Sequence, residues 1–283
     1  MTHIDYEMSN EDYHNTELHP HFSSSDIKEV VKNSPLHWII KQELPRKEPT
    51  PAMLLGSAVH AFILEPDKGE FVRGQGSGRT KDFKAQKDEL AKKGKTLLPE
   101  ATFDDAMRIA TKAMETNEYL ARMVKDKSFV AEASIFTECP ETSLSIRCRP
   151  DGMIIPSEVE ILKGKRPVLM DIKTTNNIHP FTFFKDVKMW SYDVQAAFYL
   201  HTCAAAKIPV EKFVFFAVCK ETGICQAHVL SELYLAHAHK RMLKAMSDLL
   251  DSQVSGRFTT GWDMENTIHL PQYLQEVTEE NPF

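Results

Sequence analysis

The sequence predicts an α/β fold in which a mixed central sheet is flanked by helices. Two observations predict it. Apolar residues keep a helical period as far as about Lys125, then alternate in short runs from Phe129 to Thr174. A helical stretch from Val187 to Ala206 separates those runs from two more strand-like segments, Phe213 to Cys219 and Cys225 to Leu230. A long helix from Glu232 to about Leu250 follows.

Taken in order, residues 1–22 are polar and irregular and are expected to form an N-terminal arm. Ser23-Ser24-Ser25 supplies an N-cap for a short helix with Ile27, Val30 and Val31 on one side, ended by Ser34-Pro35. The helix from Met53 to Leu64 is apolar almost all round, so it should be buried, and it stops before Pro66. Gly56 and His60 share one of its faces, and a histidine buried there needs a polar partner.

Phe103 to Lys125 reads as one helix, and Phe129 to Phe136 as one alternating strand. Leu144 to Cys148, Asp151 to Ile155 and Val168 to Thr174 follow as strands joined by turn residues (Pro140, Pro150-Asp151-Gly152, Gly164), which predicts an antiparallel meander. Residues 23–251 hold all the periodic segments and should form one domain. Residues 252–283 carry Trp262, Ile268, Leu270 and Pro271 without a period and should be a tail packed on it.

The 283 residues are 42% hydrophobic, ordinary for a chain with a full core, and the formal net charge is −6. An acidic total opposes binding to phosphate, so any basic surface must be local. Between Arg73 and Lys95, the basic residues Arg73, Arg79, Lys81, Lys84, Lys87, Lys92, Lys93 and Lys95 outnumber Asp82, Asp88 and Glu89. With glycines at 74, 76 and 78, the segment reads equally as a flexible arm closing on a phosphate backbone or as a solvated charged helix after a loop. Five cysteines form no Cys-x-x-Cys pair, no secretory signal is visible, and no apolar run approaches the ~18 residues of a membrane span. A soluble cytoplasmic protein with reduced thiols is the expectation.

The chemistry concentrates around Asp171-Ile172-Lys173. On a strand Asp171 and Lys173 project to one face and Met170 and Ile172 to the other. The same Asp-x-Lys spacing recurs at Asp26, Asp82 and Asp186, none of them in a strand-like run. Context separates the copies: Asp151 opens the preceding strand after Arg149-Pro150, and Gln195 and Tyr199, four apart, share a face of the following helix. Two carboxylates and an amine on neighbouring strands can hold magnesium and present water to a phosphodiester. The plainer alternatives are an ion pair for Asp171 and Lys173, a turn residue for Asp151 and a core histidine for His60. His237 and His239, at i and i+2 on a helix, face different directions and are assigned no role.

These segments, together with Ser23-Ser-Ser-Asp-Ile-Lys28, Gly56-Ser-Ala-Val-His60, Arg79-Thr-Lys81, Glu132, Arg149-Pro-Asp-Gly152 and Gln195-Ala-Ala-Phe-Tyr199, resemble the RecB-like branch of the PD-(D/E)xK nucleases. Within it they are similar to the phage and prophage exonucleases of the exodeoxyribonuclease VIII (RecE) type. The resemblance runs from Ser23 to about Leu230. It implies a restriction-endonuclease-like core and a nuclease domain over 23–251. It also implies Asp151, Asp171, the Ile172 carbonyl and His60 as ligands of Mg2+, for which Mn2+ would substitute. Lys173 would act on the attacking water, and Gln195 and Tyr199 would orient the site and the DNA end.

Arg79, Lys81 and Lys84 would bind DNA, and Glu132 would support the site. The implied activity is exonuclease digestion of linear duplex DNA from its ends, 5′ to 3′, giving single strands for recombination. The implied assembly is a ring-shaped homo-oligomer with a single-strand annealing partner. The alternatives are a single-strand or structure-specific nuclease of the same superfamily and a catalytically silent DNA-end-binding module. No iron–sulphur cluster is expected, because no cysteine precedes Cys139 and the downstream cysteines are widely spaced.

Overall fold

A computed structural model describes residues 2–262 except 16, 46, 47, 76, 77 and 79. The chain begins with β1 (His3–Asp5), α1 (Asn10–His14), α2 (Ser24–Lys32), α3 (Pro35–Glu43) and α4 (Pro51–Leu64). Next come β2 (Phe71–Arg73), α5 (Lys81–Ala91), β3 (Thr96–Leu98), α6 (Glu100–Thr116) and α7 (Glu118–Val124). The sheet region holds β4 (Phe129–Ala131), β5 (Ser134–Glu138), β6 (Ser145–Cys148), β7 (Gly152–Ile154), α8 (Glu158–Leu162) and β8 (Val168–Thr175). The chain continues with α9 (Pro180–Trp190), α10 (Tyr192–Ala205), β9 (Lys212–Cys219), β10 (Cys225–His228) and α11 (Glu232–Ser255).

The main sheet has the order β10-β9-β8-β7-β4, with β8 in the middle. β8 runs parallel to β9, the connection being α9 and α10, and antiparallel to β7, so the sheet is mixed as expected. Side chains of β8 alternate between two apolar layers. Leu169 joins Phe213, Phe215 and the helices α2, α10 and α11, whereas Met170 and Ile172 join Val214, Phe216 and the helices α4 and α6.

The predicted meander is antiparallel in its pairings but is divided. The single strand expected from Phe129 to Phe136 breaks at Glu132, whose φ is +52°. Its first half, β4, pairs with β7 in the main sheet; its second half, β5, pairs with β6 and β1 in a separate three-stranded sheet. The expected arm over residues 1–22 supplies β1, paired to β5 from His3 to Asp5, and buries Tyr13.

Two predicted helices are also each two. Asn117 ends α6 and caps α7, its side chain accepting from Leu120 N at 2.9 Å, because an asparagine amide competes with the helix for backbone partners. Ser191, at φ +51°, separates α9 from α10. The final helix runs five residues beyond its expected end, to Ser255. Of the tail, residues 256–262 lie against α3: Thr259 O accepts from Leu36 N at 3.2 Å and Phe258 stacks on Trp38. Ile268, Leu270 and Pro271 lie outside the described residues. No helix among the described residues is long and apolar enough to cross a membrane.

Gly152 is not a positive-φ turn residue, although Pro150-Asp151-Gly152 resembles a turn sequence. It opens β7 opposite Ala131, and a Cβ there would lie 2.4 Å from Cε2 of Phe129. The glycine makes room for that ring. Gly152→Ala should therefore lower stability by about 1–3 kcal/mol through overpacking. Urea unfolding would show it, and Phe129→Leu in the same chain should recover part of the loss; an unchanged midpoint for Gly152→Ala would contradict this packing.

Candidate active site

The ladder between β7 and β8 ends at the pair Gly152 and Met170. One residue further, the Asp151 side chain takes over from a strand: its Oδ2 accepts from Ile172 N at 2.6 Å. A carboxylate thus satisfies the backbone group that the sheet leaves open. His60 reaches the same point from α4, with Nδ1 3.3 Å from Asp151 Oδ2, and its ring faces the Ile172 carbonyl. Gly56 allows this approach, since a Cβ at that position would stand 3.1 Å from Thr174 Oγ1 on β8. The polar partners of this half-buried histidine are the Ile172 carbonyl, to which its ring hydrogen-bonds, and the adjacent Asp151 carboxylate.

On the other face of β8, Asp171 is almost wholly buried. Gln195 of α10 donates Nε2 to Asp171 Oδ2 at 2.5 Å, and the Lys173 ammonium forms an ion pair with Oδ1. The ammonium is the partner of Oδ1, so each oxygen of this buried carboxylate is met by a different element. Lys173 also lies 4.7 Å from the centre of the Tyr192 ring. Because Ser191 breaks the helix there, Tyr192 begins α10 just below Lys173.

Burial sets the electrostatics. Asp151 is pushed well above the ordinary carboxylate range, first by loss of solvent and then by the neighbouring charge of Asp171. His60 is pushed down to about 4, again chiefly by loss of solvent, so its ring is neutral near pH 7 and offers a lone pair. For Lys173 burial works against the charge, yet Asp171 and Asp151 outweigh it and hold the amine above its usual value. Lys173 is therefore an ammonium in this arrangement.

One participant carries no role in the sequence reading. Lys28 of α2 donates to Gln195 Oε1 at 3.4 Å and is pushed down to about 8, by burial first and by Lys173 second. Its sequence signal is faint: α2 buries Ser24, Ile27 and Val30, and Lys28 is one turn from Ser24, at the edge of that face.

The other predicted residues are more dispersed. Tyr199 is buried edge-on to Phe213 at 5.9 Å and belongs to the apolar layer behind Gln195. Glu132 accepts from Arg149 Nη2 at 2.8 Å, while Arg149 also donates to the carbonyls of Met8 and Ser9. It thereby ties the break between β4 and β5 to the N-terminal segment. Glu132 and His60 line an open cavity of about 610 Å³ whose wall also carries Lys68, Lys93 and Lys95 together with Glu11, Glu65 and Glu70, Lys68 being paired with Glu65 and Lys93 with Glu89. Lys81 and Lys84 are exposed on α5 and are not among that lining. Arg79 lies outside the described residues. Arg73 is held by Asp104 and Glu100, which removes it from the free basic charge of that segment.

The donor types suit a hard divalent cation: two carboxylates, one of them almost wholly buried, a backbone carbonyl and a neutral imidazole. Asp151 and Asp171 repel each other without one. A family model described as a PDDEXK-like domain of unknown function (DUF3799) matches residues 23–253. A crystal structure from Eubacterium rectale described as a "Putative exonuclease" is similar at TM-score 0.58 and 16% identity, covering 97% of this chain and 99% of that one. At that identity the likeness bears on the fold. A second structure, SSO0001, at TM-score 0.29 and 13% identity over 68% of this chain and 84% of that one, carries no argument. No curated protein matches.

A raised carboxyl pKa in the folded state favours the protonated form, so its contribution to stability is present at low pH and is lost as pH rises through the folded value. In chelator at neutral pH, Asp151→Asn should melt higher than the unaltered protein. The difference should shrink as pH falls toward about 4, where Asp151 is itself protonated. Melting curves at several pH values would test this; a difference independent of pH, or a lower melting point throughout, would contradict it.

Proposed function

Because the chain belongs to the PDDEXK-like family DUF3799, we propose that it is a magnesium-dependent exodeoxyribonuclease that digests linear duplex DNA from its ends, 5′ to 3′. The observation that carries this reading is the convergence of His60, Asp151, the Ile172 carbonyl, Asp171 and Lys173 where the β7–β8 ladder stops. The single strands produced would serve recombination, in a ring-shaped homo-oligomer working beside a single-strand annealing protein. A ring would also concentrate cations around a channel while the total charge stays at −6.

Asp151, Asp171, the Ile172 carbonyl and His60 would hold Mg2+, with Mn2+ as a substitute. The bound cation supplies charge neutralisation at the scissile phosphate and a more acidic water. Lys173, held as an ammonium, orients the attacking water and balances negative charge gathering on the phosphate oxygens; in that state it has no lone pair to act as a base. Gln195 fixes the Asp171 carboxylate through Oδ2 and leaves Oδ1 toward Lys173. Tyr199 supports Gln195 from the apolar layer. Lys28 adds a second cation beside Gln195 for the incoming phosphate backbone, and Lys93 and Lys95 with the α5 lysines extend the basic path.

The deciding assay uses linear duplex labelled separately at its 5′ and 3′ ends, beside closed circular duplex. Loss of the 5′ label first, with the circle intact, is the expected result; cutting of the circle would indicate an endonuclease instead. Asp171→Asn and Lys173→Ala should each reduce digestion by about 10²–10³-fold or more while the fold persists by circular dichroism. Full activity in either variant would remove the proposed site.

Lys28→Met should raise KM for duplex DNA by roughly 10-fold, the scale of a lost charged contact, with a smaller change in kcat. The pH dependence follows from the lowered pKa. The Lys28 charge is complete below about 8 and is lost above it, so KM should climb as pH passes about 8. Lys28→Arg should flatten that climb. A KM profile identical in all three proteins would exclude Lys28 from DNA binding.

A further inference from the structure

A second group of ligating side chains lies apart from the carboxylates, at the far end of α10. Cys139 ends the β5 side of the hairpin to β6, Glu141 stands in that hairpin's turn, and His201 sits six residues beyond Gln195 on α10. Along a helix six residues are about 9 Å. Cys139 Sγ is 3.4 Å from His201 Nε2 and 3.3 Å from Glu141 Oε2, and His201 Nε2 is 3.3 Å from that same oxygen.

Those three separations have a simple geometric meaning. Around a tetrahedral ion about 2.3 Å from sulfur and about 2.0–2.2 Å from nitrogen and oxygen, ligand atoms stand roughly 3.4–3.6 Å from one another. All three edges here are within a few tenths of an ångström of that. We propose that Cys139, Glu141 and His201 form a site for one divalent transition-metal ion of the zinc class, with solvent at the fourth position.

The surroundings agree with a site built for a metal. Cys139 and His201 are buried while Glu141 is exposed, so two ligands are fixed by packing and the third opens the site to solvent. The other ring nitrogen of His201, Nδ1, is 3.2 Å from His239 Nε2 of α11. If His201 ligates through Nε2, its proton belongs on Nδ1, and His239 is the acceptor that keeps it there. This gives His239 a positioning role that its sequence spacing to His237 does not suggest. Burial pushes the Cys139 thiol up, and the Thr142 hydroxyl with the backbone N–H groups of Thr142 and Glu141, which turn toward the sulfur, opposes that shift only in part, so a cation is what would hold the sulfur as a thiolate. On metal binding the Cys139 proton is released to solvent and the thiolate takes its place as ligand.

The chain contains its own control. Cys219-Lys-Glu-Thr-Gly223 repeats the turn of Cys139-Pro-Glu-Thr-Ser143. In both, the cysteine N–H donates to the carbonyl five residues on at 2.9 Å, and the residue four on donates back to the cysteine carbonyl at 2.8 Å. Both turns also direct N–H groups at the sulfur. The turn by itself is therefore ordinary hairpin chemistry. Imidazole is what differs: among the described residues the Cys139 group is the one whose three ligating atoms all lie within 4.8 Å of one another, and the Cys219 turn has no histidine to complete such a group.

A hard-cation nuclease centre offers oxygen and imidazole but no sulfur, so cobalt(II) separates the two sites by spectroscopy. Titrating the chelator-treated full-length protein with Co2+ should give a near-ultraviolet thiolate-to-cobalt charge-transfer band that saturates at one equivalent and is displaced by Zn2+. The band should be lost in Cys139→Ser and His201→Gln and retained in Cys219→Ser and in Asp171→Asn. Glu141→Gln alters only an exposed side chain, so it remains informative if the buried variants fail to fold; it should weaken Co2+ binding at least tenfold. Absence of the band in the folded unaltered protein, its survival in Cys139→Ser, its loss in Cys219→Ser, or unchanged Co2+ affinity in Glu141→Gln would each overturn the site. The readout does not depend on nuclease activity.

Discussion

Two carboxylates that solvent cannot reach freely, Asp151 and Asp171, are the constraint around which this molecule is arranged. Each is an acceptor with a negative charge to balance, and each is answered from a different element. Asp151 takes the Ile172 N–H and the His60 ring; Asp171 takes Gln195 and Lys173. The two faces of the central strand are thereby joined through its own backbone at Ile172. A buried pair of like charges costs stability, and it persists where the surrounding side chains, and a cation when bound, offset it.

The helix α10 links this centre to the rest of the fold. Over less than three turns it presents Gln195 to Asp171, Tyr199 to the apolar layer and His201 to Cys139 and His239. Its start is set by the left-handed residue Ser191, and its burial on nearly every side means that it cannot rotate to favour one contact without losing others. A metal held by Cys139, Glu141 and His201 would fix the far end of the helix that positions Gln195.

Charge is distributed with the same economy. The chain is acidic overall, and part of its basic segment is neutralised locally, Arg73 by Asp104 and Glu100 and Lys93 by Glu89. Lys68, Lys93 and Lys95 reach the cavity wall beside His60, while Lys28 and Lys173 sit behind it near the carboxylates. These cations are thus brought near the carboxylates from residues far apart in the chain.

The Asp-x-Lys spacing shows where sequence reading succeeds and where it stops. On a strand, alternation alone dictates that Asp171 and Lys173 share a face and that Met170 and Ile172 enter the opposite layer, which the packing of β8 bears out. The other three copies lie on helices, where i and i+2 diverge: Asp26 caps α2, Asp82 is in the first turn of α5, and Asp186 accepts from Thr175 Oγ1 at 2.6 Å. Although α4, expected to be buried because its apolar residues nearly encircle it, is buried on one side only and leaves Met53 exposed, its Gly56–His60 face and the mixed sheet were equally legible. The division of the Phe129–Phe136 strand at Glu132, the breaks at Asn117 and Ser191, the arrival of Lys28 at Gln195 and the meeting of Cys139 with His201 were not. These depend on which surfaces come together after the elements form, and a local period says which face of an element is buried but not what lies against it.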